Sequence, residues 1–254
     1  MLLTIDCGNT NIVLGLYEGD TLRNSWRIST VSSKTEDEYY VLFQNMLAAG
    51  GLGLSHIDGF IVSSVVPSVT TALRRFAAKY LTFPASFVDA HTETGVPIRI
   101  DNPAEVGSDR IVNALAGHHK YGGYLIIVDF GTATTFDVVS PQGEYLGGAI
   151  CPGLEISAGA LFAKAAKLAN ITMEKPAHII GKNTTECLRS GLLYGYGCLV
   201  DGLIEKMTKE LSAKPMVIAT GGLGQLISEF SEKIDVVDQL LTLEGLRLLW
   251  EKGC

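Results

Sequence analysis

Residues 2–11 read LLTIDCGNTN and residues 125–134 read LIIVDFGTAT. Each is an apolar run closed by Asp, one further residue, Gly and short polar side chains. Such a run, bounded by a glycine turn, reads as a buried strand. Asp6 or Asp129 then stands at the strand end, and Gly8 or Gly131 lets the chain reverse without a Cβ. In the first copy Asn9, Thr10 and Asn11 offer amides and a hydroxyl; in the second Thr132 and Thr134 offer hydroxyls around Ala133. Backbone N–H groups and short polar side chains in such a turn can cradle phosphate oxygens, and Asp6 can hold Mg²⁺ directly or through water.

A second β-rich run follows each turn, IVLGLYEGD from Ile12 and TFDVVSPQGEY from Thr135. The turn signals Glu18-Gly19-Asp20 and Ser140-Pro141-Gln142-Gly143 close them, so each half opens with a hairpin or meander. The repetition points to a duplicated domain of about 120 residues, with lobes at 1–120 and 121–254. Chance recurrence is the competing explanation, because Asp-x-Gly after a strand is common. Further strands are expected at Leu22–Ile28, Gly59–Ser63 and Pro215–Thr220. Thr35 and Glu38 form a capping box for a helix to Ala49, and Pro67 opens another to Tyr80. Helices are also expected at Ser108–His118, Leu154–Leu168, Thr184–Leu211, Leu223–Phe230 and Leu243–Lys252, which makes the class α/β.

Composition narrows the possibilities. The 254 residues are 47% hydrophobic and 19% charged, as expected of a packed globular protein. No run approaches eighteen uninterrupted apolar residues, so no membrane span is expected. A net charge of −7 without a dense basic stripe argues against general nucleic-acid binding. Met1 leads straight into a strand-like run with no basic leader region, and a cytoplasmic protein is the expectation. Cys7, Cys151, Cys187, Cys198 and Cys254 contain no CxxC pair and read as free thiols. His118 and His119 adjoin at a helix end, and without HExxH or CxxC nearby they do not make a transition-metal site.

Other phosphate-binding signatures fail. Gly181-Lys182 is followed by Asn183 rather than Ser or Thr, which excludes a Walker A loop, and Gly222-Leu223-Gly224 lacks the third glycine of a dinucleotide fingerprint. Thr220-Gly221-Gly222-Leu223 reads equally as a plain strand-to-helix turn or as a close backbone approach to a flat ligand such as adenine.

A third cluster is Asn102-Pro103-Ala104-Glu105-Val106-Gly107-Ser108-Asp109-Arg110. Ser108 is a natural N-cap, with Ile111, Val112, Leu115 and Ala116 as the apolar stripe behind it. Asp109 in the first turn could simply complement the helix dipole. Arg110 opposes that dipole, and an anionic ligand would explain it. Asp109 is then a candidate general base toward an alcohol, with Arg110 neutralising charge on a substrate or a transferring phosphoryl group. No GxSxG elbow supports serine-hydrolase chemistry. Gly191, Gly195, Gly197 and Gly202 in one helix imply close packing, either within the chain or against a second copy. Thr184, after Asn183, has both a capping and a ligand-binding reading.

Taken in order, DCGNTN, SSVVP (63–67), NPAEVGSDR, DFGTATTFD, GGAICPGLEIS, IGKNTTECLRSGLLYG, DGLI and ATGGL resemble the type III pantothenate kinases along essentially the whole chain. The resemblance implies duplicated ribonuclease H-like (actin-like ATPase) lobes with a nucleotide cleft between them. It implies transfer of the ATP γ-phosphate to the primary alcohol of pantothenate, giving 4′-phosphopantothenate for coenzyme A synthesis. Carried over residue by residue, it assigns Asp6, Cys7, Gly8, Asn9, Thr10, Asn11, Ile12, Val13 and Thr132 to ATP. Gly107, Ser108, Asp109, Arg110 and Thr184 fall to pantothenate, with Asp109 as proton acceptor. Asp129 falls to a monovalent cation, K⁺ or NH₄⁺. A homodimer is implied, with the glycine-rich helix near its interface. Ser108 stands where the family often has Ala, and Ile100 where many relatives have a substrate-facing Tyr, so that contact is not carried over. The alternatives on the same fold are a non-catalytic nucleotide-sensing regulator, which has no need of a base at Asp109, and a phosphatase, which would activate water.

Overall fold

The computed structural model describes residues 1–89, 92–164 and 171–253. Two compact units form, Met1–His119 with Leu240–Cys254, and Lys120–Gln239. In the first, β1 (Leu2–Cys7), β2 (Asn11–Glu18) and β3 (Thr21–Ser29) make an antiparallel meander. Gly19, at φ 60°, supplies the left-handed residue of the β2–β3 turn. β4 (Gly59–Ser64) lies parallel to β1 and β5 (Ser86–Val88) parallel to β4, giving the order β3-β2-β1-β4-β5.

The period-two pattern of β1 decides what covers each face. Leu3, Ile5 and Cys7 point to one side and join Tyr39, Phe43 and Leu47 of α1 (Glu36–Ala49) and Val69, Leu73 and Phe76 of α2 (Pro67–Tyr80). Complete burial of such side chains contributes about 1.5–3 kcal/mol each before the entropy of ordering. The Thr35–Glu38 capping box is present at the start of α1, and Pro67 occupies the first turn of α2. On the opposite face Leu2, Ile61 and Val88 meet Val112 and Leu115 of α3 (Ser108–Tyr121).

The second unit repeats this plan. β6 (Leu125–Phe130), β7 (Ala133–Val139) and β8 (Tyr145–Pro152) form the meander; β9 (Met216–Thr220) runs parallel to β6 and β10 (Val236–Val237) parallel to β9. The order β10-β9-β6-β7-β8 is the first sheet's order with every strand advanced by five, so the repeated Asp-x-Gly marks a true structural duplication. α4 (Leu154–Lys164), α5 (Thr184–Glu210) and α6 (Gly224–Ser228) supply the helices. Ile126, Val128, Phe130 and Phe136 pack with Leu193, Tyr196 and Val200 of α5 and with Ile227 and Phe230.

Every strand expected from the sequence is present, and β5, β8 and β10 are additional. β5 and β10 are too short to show alternation. β8 carries Gly147 and Gly148, and a Cβ on Gly148 would collide with the Phe136 carbonyl, so close approach to β7 has replaced the usual strand pattern. The expected Leu154–Leu168 helix is seen to Lys164; residues 165–168 and Cys254 lie outside the described residues. α7 (Leu241–Glu251) packs with the first unit. Leu243, Leu246, Leu248 and Leu249 join the Leu2–Ile61–Val112 cluster, and Gly245 lets α7 press against the Val112 carbonyl, where a Cβ would collide. Among the described residues, no helix is long and apolar enough to cross a membrane.

Candidate active site

Strand parity places the first set of groups. Since Cys7 and Leu3 face α1 and α2, Asp6 faces the α3 side, and it pairs in register with Ser63 of β4 and Val13 of β2. Ser63 is fully buried, and its hydroxyl lies 2.8 Å from that of Ser108 at the head of α3. The carboxylate-bearing end of β1 and the Gly107–Arg110 segment are therefore held on one side of one sheet, at the C-terminal ends of two parallel strands. Open α/β sheets place their ligands at that edge.

The first turn is braced by Thr30, just past the end of β3. Gly8 N–H donates to the Asn11 carbonyl at 2.9 Å, Thr30 N–H to the Thr10 carbonyl at 2.9 Å, and the Thr30 hydroxyl to the Gly8 carbonyl at 2.7 Å. Asn9 and Thr10 are exposed at its tip, and Asp6, Gly8, Asn11 and Val13 are half-buried. Cys7 and Ile12 belong to the core, so any nucleotide contact from these two comes from their backbone. Burial pushes the Cys7 thiol up to about 11, against the opposing hydrogen bond from Ser64, as expected of a small packing residue.

The start of α3 differs by one residue from the sequence expectation. The Gly107 carbonyl accepts from Arg110 N–H at 3.1 Å and from Ile111 N–H at 3.3 Å, so Gly107 is the capping residue and Ser108 lies within the first turn. The Ser108 hydroxyl is engaged by Ser63. Asp109 instead meets the exposed helix donors: its Oδ1 accepts from Arg110 N–H at 2.9 Å. A Cβ on Gly107 would press on that same oxygen. The carboxyl is raised above its usual range because burial outweighs the Arg110 N–H and the Arg110 charge. Asp109 thus complements the helix terminus and is also a more basic carboxylate than an exposed one.

The second unit carries the remaining residues. Asp129 pairs in register with Thr135 and with Thr220 of β9. Gly221, at φ +83°, lies against it, and a Cβ there would collide with Asp129 Oδ1. This gives the Thr220-Gly221-Gly222-Leu223 segment a defined part: its glycine makes room for the carboxylate. Thr132 is exposed in the Gly131–Thr132 turn between β6 and β7, where Gly131 N–H donates to the Ala133 carbonyl at 3.1 Å. Gly153 N–H donates to the Thr132 carbonyl at 3.1 Å. Thr184 is exposed in the first turn of α5, while capping is done by Asn183, whose side chain accepts from Glu186 N–H at 2.9 Å. Sequence reasoning did not single out Ser63 or Gly153, although both lie in motifs, SSVVP and GGAICPGLEIS, that carried the resemblance.

A model of the type III pantothenate kinase family matches residues 2–206. The type III pantothenate kinase of Geotalea uraniireducens (strain Rf4) is 52% identical over 253 residues, covering 100% of this chain and 99% of the relative. That of Geobacillus sp. (strain WCH70) is also 52% identical over 253 residues, covering 100% and 98%. The chain belongs to the type III pantothenate kinases. Among solved structures, the activator of 2-hydroxyisocaproyl-CoA dehydratase from Clostridium difficile, solved with bound ADPNP, is similar with a TM-score of 0.55. It covers 99% of this chain and 94% of its own at 13% identity, a likeness of fold alone. The duplicated actin-like plan is thus a property of the fold, while membership of the kinase family rests on sequence.

Proposed function

We propose that the protein transfers the γ-phosphate of ATP to the primary alcohol of pantothenate, forming 4′-phosphopantothenate in the first step of coenzyme A biosynthesis. The observation that carries the mechanism is Asp109, a carboxylate of raised basicity at the head of α3, on the same sheet edge as Asp6. Asp109 accepts the proton of the attacking hydroxyl, and Arg110 offsets the negative charge gathering on the transferring group. Phosphoryl transfer asks for little covalent work from a protein and much positioning and electrostatics.

The turn from Asp6 to Val13, with Thr132 in the second unit, contacts ATP; Gly107, Ser108, Asp109, Arg110 and Thr184 contact pantothenate. Asp6 and Asp129 fit two kinds of cation, since both are half-buried carboxylates at strand ends and the second has a glycine cradle that a Cβ would fill. Asp6 holds Mg²⁺ directly or through water, and Asp129 a monovalent cation, K⁺ or NH₄⁺. When bound, these ions neutralise phosphate charge.

The active species is a cytoplasmic homodimer built on α5, where side chains added at Gly191, Gly195 or Gly202 would enter open space, leaving a smooth face for a second copy. Sedimentation equilibrium should give twice the 27.2 kDa chain mass, and a monomer mass would reject the dimer.

The activity test is a coupled ADP-release assay with purified protein, MgATP and pantothenate, with K⁺ or Na⁺ as the sole monovalent cation. Pantothenate-dependent ADP release, greater in K⁺, is expected. Its absence in both salts would overturn the kinase reading and favour a nucleotide-sensing regulator.

A further inference from the structure

The second turn rests on a directed hydrogen-bond chain. The phenol of Tyr196, on α5, donates to the Pro152 carbonyl at 2.8 Å and lies 2.7 Å from the hydroxyl of Thr134. A carbonyl can only accept, so the single phenolic proton is committed to Pro152 and the Thr134 hydroxyl must donate to Tyr196. Burial raises the phenol above its usual range, which keeps that proton in place at every physiological pH. Thr134 is itself buried, 1% exposed.

The two groups tied by Tyr196 flank the residues of interest. Thr134 follows the 131–133 turn directly and pairs in register with Phe130 across it. Pro152 ends β8 and precedes Gly153, whose N–H donates to the Thr132 carbonyl. A Cβ on Gly153 would collide with the Thr132 carbonyl, so the backbone of 153 lies directly against the turn. Gly153 thus holds the 131–133 turn directly, and the Thr134–Tyr196–Pro152 chain ties together the residues that flank it. The first turn is held differently, by Thr30 just past the end of β3.

We infer that Tyr196 is a positioning residue for nucleotide binding, fixing the 131–133 turn, and with it Thr132, through its paired hydrogen bonds to Thr134 and Pro152. This rests on the reading of Thr132 as an ATP contact. Removing the phenolic oxygen leaves a buried hydroxyl without its acceptor and the Pro152 carbonyl without that donor, and the freed turn must be ordered at the expense of nucleotide affinity.

The test is isothermal titration of the purified full-length protein with ADPNP and, separately, with pantothenate. Tyr196→Phe should weaken ADPNP binding by about tenfold, with pantothenate affinity within about twofold of wild type. Thr134→Val, which keeps the shape and removes the donor, should reproduce the loss, and the double variant should be no worse than either single change because both break one chain. Thr134→Ser should bind ADPNP almost as wild type does. A general loss of structure would weaken both ligands together, so equal losses for ADPNP and pantothenate, or unchanged ADPNP affinity in Tyr196→Phe, overturn the inference while leaving the kinase reading standing. Strictly additive single effects overturn it as well. Wild-type protein that binds no ADPNP overturns the inference together with the reading beneath it.

Discussion

The two Asp-x-Gly turns occupy equivalent places in two sheets of the same strand order, yet they are built differently. Between the paired residues Cys7 and Ile12 the first turn has four residues; between Phe130 and Thr134 the second has three. The first closes on the Asn11 carbonyl and is braced by Thr30, which follows β3; the second closes on the Ala133 carbonyl and is braced by Gly153, which follows β8. Across the parallel pair, Asp6 faces Ser63, which is engaged by Ser108 beside Asp109, while Asp129 faces Thr220 and the Cβ-free wall of Gly221. One aspartate is thus tied to the segment carrying the proposed base, and the other sits in a cradle. Duplication preserved the strand order; the residues flanking each carboxylate diverged.

The largest expected effect tests the asymmetry of the bases. Asp109 heads α3, which follows the first sheet; the helix following the second sheet, α7, has Thr242 at the corresponding position, and its first-turn carboxylate, Glu244, is paired with Arg247. Asp109→Asn should lower turnover by roughly 10² to 10⁴ while ATP affinity changes little. The base must be deprotonated to act. Because burial raises the Asp109 carboxyl, the wild-type rate should climb with pH through a value above the ordinary carboxylate range, and the variant should lose that limb. Near-normal turnover in Asp109→Asn, measured by ADP release, would remove it from the mechanism.

A smaller pair of changes addresses the two aspartates directly. Asp6→Asn should weaken MgATP binding by about tenfold or more while preserving the advantage of K⁺ over Na⁺. Asp129→Asn should erase that advantage with a lesser effect on MgATP. Titration with MgADPNP and rates in each salt separate the outcomes; identical profiles for the two variants would return the turns to the symmetric phosphate clamp that the repeated pattern alone suggests.

Much of this was legible because its causes are local. The hairpin turns carry Gly19 and Gly143 at positive φ, at the positions marked by Glu18-Gly19-Asp20 and Pro141-Gln142-Gly143. Thr35 with Glu38 announced α1 because a capping box is made within four residues. Other features depend on what a segment meets. The sequence of β8 shows no strand alternation because Gly147 and Gly148 interrupt it, and only the close approach of Phe136 explains Gly148. Ser108 read as an N-cap because its partner, Ser63, is 45 residues away and out of reach of local reasoning. Nothing within 241–251 says which sheet that helix covers; its leucines suit either core, and Gly245 against Val112 decides it. The candidate residues were found by type and motif, while the supports beneath them became visible only in three dimensions.

The smallest expected effect concerns the residue between Asp and Gly. Cys7 and Phe130 occupy that place in the two turns, and both are 1% exposed, pointing away from the aspartate into their own cores. The chemistry of a thiol so close to a phosphate turn invites a reactive role, but the comparison assigns it the same packing duty as a phenylalanine. With its thiol near 11, only about one molecule in a thousand carries the thiolate at pH 8, and that thiolate is enclosed. Iodoacetamide at pH 8 should therefore leave Cys7 intact until denaturant is added, as read by peptide mass. Cys7→Ala should cost about 1 kcal/mol of stability and change ADPNP affinity less than twofold. Rapid labelling of Cys7 in the folded protein, or a large loss of nucleotide affinity in Cys7→Ala, would mean that this position has taken on a task its counterpart in the second turn does not perform.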